Sequence, residues 1–96
     1  IYVASWPDRR IYAWDALLKA RAIENMSYVV GVNRCGIDPN GVVYSGHSQV
    51  VDYMGQYMIE AFKGGMTEMV HLDFQQLQKA RTKFAFLNDA DGFVLS

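Results

Sequence analysis

Cys35 is the one thiol in the chain, and it follows the apolar run "YVVGVN" at residues 28 to 33. A catalytic thiol needs a base to lower its pKa and a third group to orient that base. The two histidines, His47 and His71, are not followed at once by Asn or Asp, so spacing alone assembles no such relay. Free cysteine is more often a small buried residue than a nucleophile. Cys35 is therefore expected to be a half-buried strand-end residue. "GHS" at residues 46 to 48 is not a nucleophile elbow, because Val50 stands where GxSxG requires glycine. Gly46 is expected to allow a close backbone approach and the Ser48 hydroxyl to bond a neighbouring strand.

Metal chemistry finds little support. "DADG" at residues 89 to 92 has part of a calcium loop, but the register that fits Asp91 and Gly92 puts Leu87 at the first ligand position. His47 and His71 lack a spaced third ligand. No metal or cofactor is expected. Met54, Met58, Met66 and Met69 read as core fillers. Lys79, Arg81 and Lys83 read as a solvated face. Arg9 and Arg10 are better placed, in "SWPDRR" beside Trp6 at the end of the first apolar run. Open α/β sheets bind ligands beyond the carboxyl ends of their strands, so this segment is where a pocket wall is expected. Core packing is an equal alternative for Trp6.

The elements that would position these residues follow from periodicity. "IYVAS" at the start has no turn or cap before it and reads as a strand entered midway. Asp8 is a candidate N-cap, after which Ile11, Trp14, Leu17, Leu18, Arg21 and Ala22 recur at the spacing of one helix face. Arg21 falls on that stripe, with Glu24 three residues on as its partner. Residues 28 to 33 are apolar on both faces, as in a covered central strand. "IDPNG" is a turn. "VVYSGHSQVVD" and "QYMIEAF" read as two strands joined by a hairpin at Gly55, and "MTEMVHLDF" as a last strand. Asp73 and Gln76 form a capping-box pattern opening a short helix toward residue 82. The tail has apolar anchors without a period and is expected to lie over another surface.

Composition sets the outer bounds. The 96 residues are 51% hydrophobic and carry a net charge of -1, which suits a packed globule and gives no basic block for nucleic acid. No apolar run approaches the roughly 20 residues of a membrane span, and nothing resembles a signal peptide. A single cysteine cannot form an internal disulfide. These features read as cytoplasmic. Strand, helix and strand in succession argue for an α/β layered fold. Five strands with two helices leave apolar sheet uncovered, so residues 1–96 are expected to be part of a larger domain whose N-terminal part is missing, and poorly soluble alone.

The stretch from "SWPDRR" through "ARAIENMSYVVGVNRCG" to "SGHSQVVDYMG" resembles the C-terminal half of the nitrilase superfamily, the carbon-nitrogen hydrolases. Their pattern is "NWP", an "ARAIEN" helix, "YV", "NR-G", a "G-S" strand and "D-P-x-G". The closing "LD...L...R..F..L.DAD.F.L" is similar to the small-amidase branch that includes omega-amidases. Ser5, Tyr53 and Ala85 depart from the pattern, where the family has Asn, Pro and Pro.

The resemblance implies a four-layer α-β-β-α sandwich, of which this chain is the C-terminal portion, and a Glu-Lys-Cys catalytic set with no cofactor. Cys35 matches a variable position, so catalytic residues are expected upstream and none within the segment. Trp6 and Pro7, with Ser5 and Arg10, would line the substrate side. Arg21, Glu24 and Asn25 would be structural. The implied activity is hydrolysis of a small amide to acid and ammonia through a cysteine thioester, in a homodimer. The alternative is a non-catalytic assembly or binding module of the same fold.

Overall fold

The computed structural model describes residues 1–62, 68–92 and 94–95. Strand β1 (Tyr2–Ala4) leads through a 3₁₀ turn (Asp8–Arg10) into helix α1 (Ile11–Glu24) and strand β2 (Val29–Asn33). The chain continues as β3 (Cys35–Ile37), β4 (Val43–Ser45), β5 (Ser48–Val51), β6 (Tyr57–Phe62), α2 (Phe74–Lys83) and a second 3₁₀ turn (Phe86–Asp89). The main sheet has the order β1-β2-β5-β6. β1 and β2 are parallel, with Ala4 opposite Asn33, while β2, β5 and β6 pair antiparallel. β3 and β4 form a separate hairpin with Cys35 opposite Ser45.

One face of the sheet receives α1. Trp14, Leu18 and Ala22 recur every four residues and close on Val29 and Val51, forming the buried cluster. Helix and sheet come close because Gly31 has no side chain: a Cβ there would lie 2.5 Å from Leu18 Cδ1 and 2.9 Å from Trp14 Cζ2. Alternation along the strands puts Val3 and Val32 on the opposite face, where they are 79% and 45% exposed. The two-sided apolar character of β2 is thus used on one side by α1 and left open on the other.

Local chemistry sets the element ends. α1 closes with a Schellman motif: Ser27 N–H donates to the Ala22 carbonyl at 3.0 Å and Met26 N–H to that of Ile23 at 3.2 Å. Met26 takes the left-handed backbone that glycine usually occupies there, and its side chain is buried. Asn25 Nδ2 donates to the Arg21 carbonyl at 2.9 Å, and Arg21 pairs with Glu24 at 2.7 Å. These three residues are structural, as expected. That ion pair is exposed, so its contribution is small. The Gly55 hairpin forms as the sequence indicates, with Asp52 Oδ1 accepting from Met54 N–H and Gln56 N–H. Asp73 caps α2 by accepting from Gln76 N–H at 3.0 Å.

Several expectations are corrected. Asp8 does not cap α1: it opens the 3₁₀ turn, Arg10 stands at the N-cap position, and no side chain caps that end. The run 42–52 is two strands in different sheets, because Gly46 and His47 both adopt positive φ and turn the chain between them. Residues 66 and 67 lie outside the described residues, and 68–73 form no strand. Alternation makes a strand possible there, but pairing depends on a neighbouring edge. Met54, Met58 and Met69 are 56%, 37% and 95% exposed, so the core methionine is Met26; Met66 lies outside the described residues. Arg81 is not simply solvated: its Nε donates at 2.9 Å to the Met26 carbonyl at the end of α1. Among the described residues no helix is long and apolar enough to cross a membrane.

Candidate active site

Because β1 and β2 are parallel, their carboxyl ends open on one edge, and the chain leaves β1 there through Ser5, Trp6 and Pro7. Asn33, the last residue of β2, anchors this exit. Its Oδ1 accepts from Trp6 N–H at 2.7 Å, and its Nδ2 donates to the Trp6 carbonyl at 2.9 Å and to the Gly46 carbonyl at 2.8 Å. The Asn33 backbone meets the Ser48 hydroxyl, which accepts from Asn33 N–H at 3.0 Å and lies 3.3 Å from its carbonyl as donor. The Ser48 hydroxyl thus bonds the neighbouring strand, and Gly46 is buried against Asn33, both as expected.

Trp6 is half-buried. Its indole N–H donates to the Arg10 carbonyl at 2.6 Å, and its ring lies 5.8 Å from that of Trp14. Trp6 packs against the core cluster, and with Tyr2, Trp14, Leu17, Leu18 and Arg21 it borders a small cavity of about 150 Å³. The Arg10 guanidinium carbon sits 5.2 Å from the centre of the Trp6 ring.

A larger groove, about 790 Å³, opens between the 3₁₀ turn and the β3–β4 loop. One wall is Pro7, Asp8, Arg9 and Arg10; the other is Asn40, Gly41, Val42 and Val43. Of the four expected substrate-side residues, Pro7 and Arg10 line this groove, Trp6 supports it from behind through Arg10, and Ser5 is exposed beside it. The opposite wall was not foreseen, since it depends on how the β3–β4 hairpin folds back. Asp38 shapes that wall: its Oδ1 accepts from Asn40 N–H at 2.9 Å and Val42 N–H at 3.0 Å, and Tyr44 donates its hydroxyl to Oδ2 at 3.1 Å. The Val42 amide foremost, then the Asn40 amide, the Tyr44 hydroxyl and the nearby Arg34, hold the Asp38 carboxyl below its ordinary range. Burial pushes the Tyr44 hydroxyl up, with the Asp38 carboxylate adding to it.

Cys35 takes no part in this arrangement. It is exposed on the hairpin rather than half-buried, and among the described residues no hydrogen bond joins it to an imidazole. Instead His47 Nδ1 meets the Asp15 carboxylate at 3.1 Å, and Gln49 Nε2 donates to Asp15 Oδ1 at 2.8 Å and to the His47 carbonyl at 2.9 Å. Trp14 Nε1 donates to the same carbonyl at 2.9 Å. This cluster ties α1 to the start of β5. His71 is exposed. Among the described residues no group of His, Cys, Asp and Glu could hold a metal ion.

The chain is similar to known amidases. It is 42% identical over 96 residues to the omega-amidase YafV of Yersinia enterocolitica, covering 99% of this chain and 38% of that protein. It is 43% identical over 86 residues to a 2-oxoglutaramate amidase of Paenarthrobacter nicotinovorans, covering 90% of this chain and 29% of that protein. A solved CN-hydrolase superfamily protein of Xanthomonas campestris, XC1258, superposes with a TM-score of 0.90 at 38% identity, covering 100% of this chain and 38% of that one. The chain thus spans less than two fifths of the length of these relatives. Residues 2–82 match the carbon-nitrogen hydrolase family, and together with the superposed α/β fold this places the chain in that family.

Proposed function

We propose that these residues form the scaffold and one pocket wall of an amidase that converts a small amide to a carboxylic acid and ammonia. The observation that carries this reading is the groove at the carboxyl edge of β1, whose Pro7–Arg10 wall follows directly on the Trp6 backbone held by Asn33, in a chain over 40% identical to omega-amidases. Pro7 and Arg10 contact the substrate, Trp6 backs Arg10, and Ser5 borders the entrance.

The chemistry comes from a cysteine, a lysine and a glutamate outside these 96 residues. The thiol, its proton taken by the glutamate, attacks the amide carbon. The tetrahedral intermediate, held by the lysine, takes that proton from the glutamate onto nitrogen, expels ammonia and leaves a thioester. Water adds to the thioester carbon, and the thiol departs with a proton as the acid is released. The open face bearing Val3 and Val32 packs against a second sheet, completing a four-layer sandwich, and the exposed α1 residues Tyr12 and Ile23 suit a homodimer contact. The setting proposed is cytoplasmic, with no cofactor.

Ammonia release from a panel of small amides by the complete gene product tests this. Turnover that survives Cys35→Ala at the wild-type rate is the expected result. Loss of all turnover in Cys35→Ala would instead make Cys35 the nucleophile. No turnover of any amide by the wild-type protein would leave the assembly module as the better reading.

A further inference from the structure

Resting on the amidase reading, we infer that Asp15, on α1, is a positioning residue: through His47 and Asn33 it fixes the chain where β1 passes into the substrate-side wall. Asp15 lines neither the groove nor the cavity beside Trp6. Its carboxylate turns instead to the corner between β4 and β5.

That corner needs holding. Gly46 and His47 adopt left-handed backbone in succession, at φ 77 and φ 59, and a residue with a side chain stays in that region only where its surroundings fix it. His47 is fixed at both ends. Its Nδ1 donates to the Asp15 carboxylate, 3.2 Å from Oδ1 and 3.1 Å from Oδ2, while its carbonyl accepts from Trp14 Nε1 and Gln49 Nε2, each at 2.9 Å. Gln49 is buried, and its Nε2 also donates to Asp15 Oδ1 at 2.8 Å. With that amide turned over, its oxygen would face the carboxylate and the carbonyl, so Asp15 sets the orientation of Gln49 as well.

Asn33 touches the corner on both sides of His47. Its Nδ2 donates to the Gly46 carbonyl at 2.8 Å, and the Ser48 hydroxyl accepts from its backbone N–H at 3.0 Å. The Asn33 side chain has two N–H donors, one for Gly46 and one for the Trp6 carbonyl. If the Gly46 carbonyl turns away, one donor loses its partner, and the amide plane that also accepts from Trp6 N–H is free to rotate. Pro7, the first residue of the groove wall, follows Trp6 directly, so a change at Asp15 reaches the wall without touching it.

The experiment uses the complete gene product, isotopically labelled at the nitrogens of asparagine and tryptophan, as wild type, Asp15→Ala and Asp15→Asn, with glutaramate and propanamide as substrates. Asp15→Ala is expected to shift the Asn33 side-chain and Trp6 backbone amide resonances and to raise KM by about 3- to 10-fold at nearly constant kcat. A smaller folded fraction would lower kcat at constant KM, so instability alone does not imitate this result. Asp15→Asn is expected to restore most of both, because the Oδ1 position lies within reach of Gln49 Nε2 and His47 Nδ1 alike.

Should Asp15→Ala fail to fold, His47→Asn repeats the test by a milder change, keeping the left-handed backbone and giving up the imidazole; the same resonances should move. In protein that turns over an amide, unmoved Asn33 and Trp6 resonances or an unchanged KM would overturn the positioning role and leave the amidase reading intact. In protein that hydrolyses no small amide, shifted resonances would uphold the coupling of Asp15 to Asn33 and sink the amidase, and unmoved ones would sink both. Thermal melts of the variants establish that each is folded.

Discussion

Asn33 and Trp6 exchange two hydrogen bonds across the carboxyl ends of adjacent parallel strands, Trp6 N–H to Oδ1 at 2.7 Å and Nδ2 to the Trp6 carbonyl at 2.9 Å. A side-chain amide thus takes the place that another residue of a neighbouring strand would fill. Asn33 is 7% exposed, and its third bond, to the Gly46 carbonyl, joins the β4–β5 corner to the same point. Three segments meet on one side chain, which is why the groove wall has a defined position.

Removing that amide strands buried backbone groups. Asn33→Ala is expected to destabilise the protein by about 2 to 4 kcal/mol, since a buried group left unpaired costs roughly 1 to 3 kcal/mol. Asn33→Asp keeps the shape but sets a carboxylate against the Trp6 and Gly46 carbonyls, and should be at least as damaging. Chemical denaturation of the complete gene product measures both. A loss below about 0.5 kcal/mol for Asn33→Ala would show that the clamp is not needed.

Gly31→Ala tests how closely α1 approaches the sheet. The new methyl group would meet the flexible Leu18 tip, which can turn, and the rigid Trp14 ring, which cannot. A loss of about 1 to 3 kcal/mol is expected, with Leu18→Ala in the same chain restoring none of the Trp14 contact. Thermal melting of the single and double variants checks this.

His47 carries two separable features, a left-handed backbone at φ 59 and a side chain paired with Asp15. His47→Asn tolerates that backbone, and the lost pair should cost less than about 1 kcal/mol because both partners are about a quarter exposed. His47→Val adds a β-branched side chain in the left-handed region, a further cost of about 1 to 2 kcal/mol. Equal stability of the two variants would mean that the corner relaxes to another conformation.

The β3–β4 loop should respond to acid. Because the Asp38 carboxyl lies below its ordinary value of 3.8, chiefly through the Val42 amide, its stabilisation is present above that pH and is lost as pH falls through the folded value. The Asn40 and Val42 amide resonances should shift together in that acid range, and Asp38→Asn should abolish the shared transition. Tyr28 gives the opposite case. Burial foremost raises its hydroxyl above 10.0, so its contribution is intact below that pH and is lost as pH rises through the folded value. Tyr28 donates to the Asp73 carbonyl at 3.0 Å, so α2 is expected to loosen from β2 as phenolate absorbance appears.

Much of this protein could be read from local chemistry. The α1 stripe of Trp14, Leu18 and Ala22, the turn at Asp38, the hairpin at Gly55, the Asp73 cap and the apolar run of β2 up to Asn33 each depend on neighbours within a few residues, which sequence records directly. The family resemblance, carried by motif order, likewise needed no coordinates. Tertiary structure decided the rest. Whether residues 42–52 form one strand or two depends on backbone angles at Gly46 and His47, and on contacts with Asn33 and Asp15 more than ten positions away. The exposure of Cys35, the Arg81 contact with Met26 and the second wall of the groove arise where distant segments meet. Periodicity says which face of a segment is apolar, but only the packed chain determines what that face, or a polar side chain beside it, finally touches.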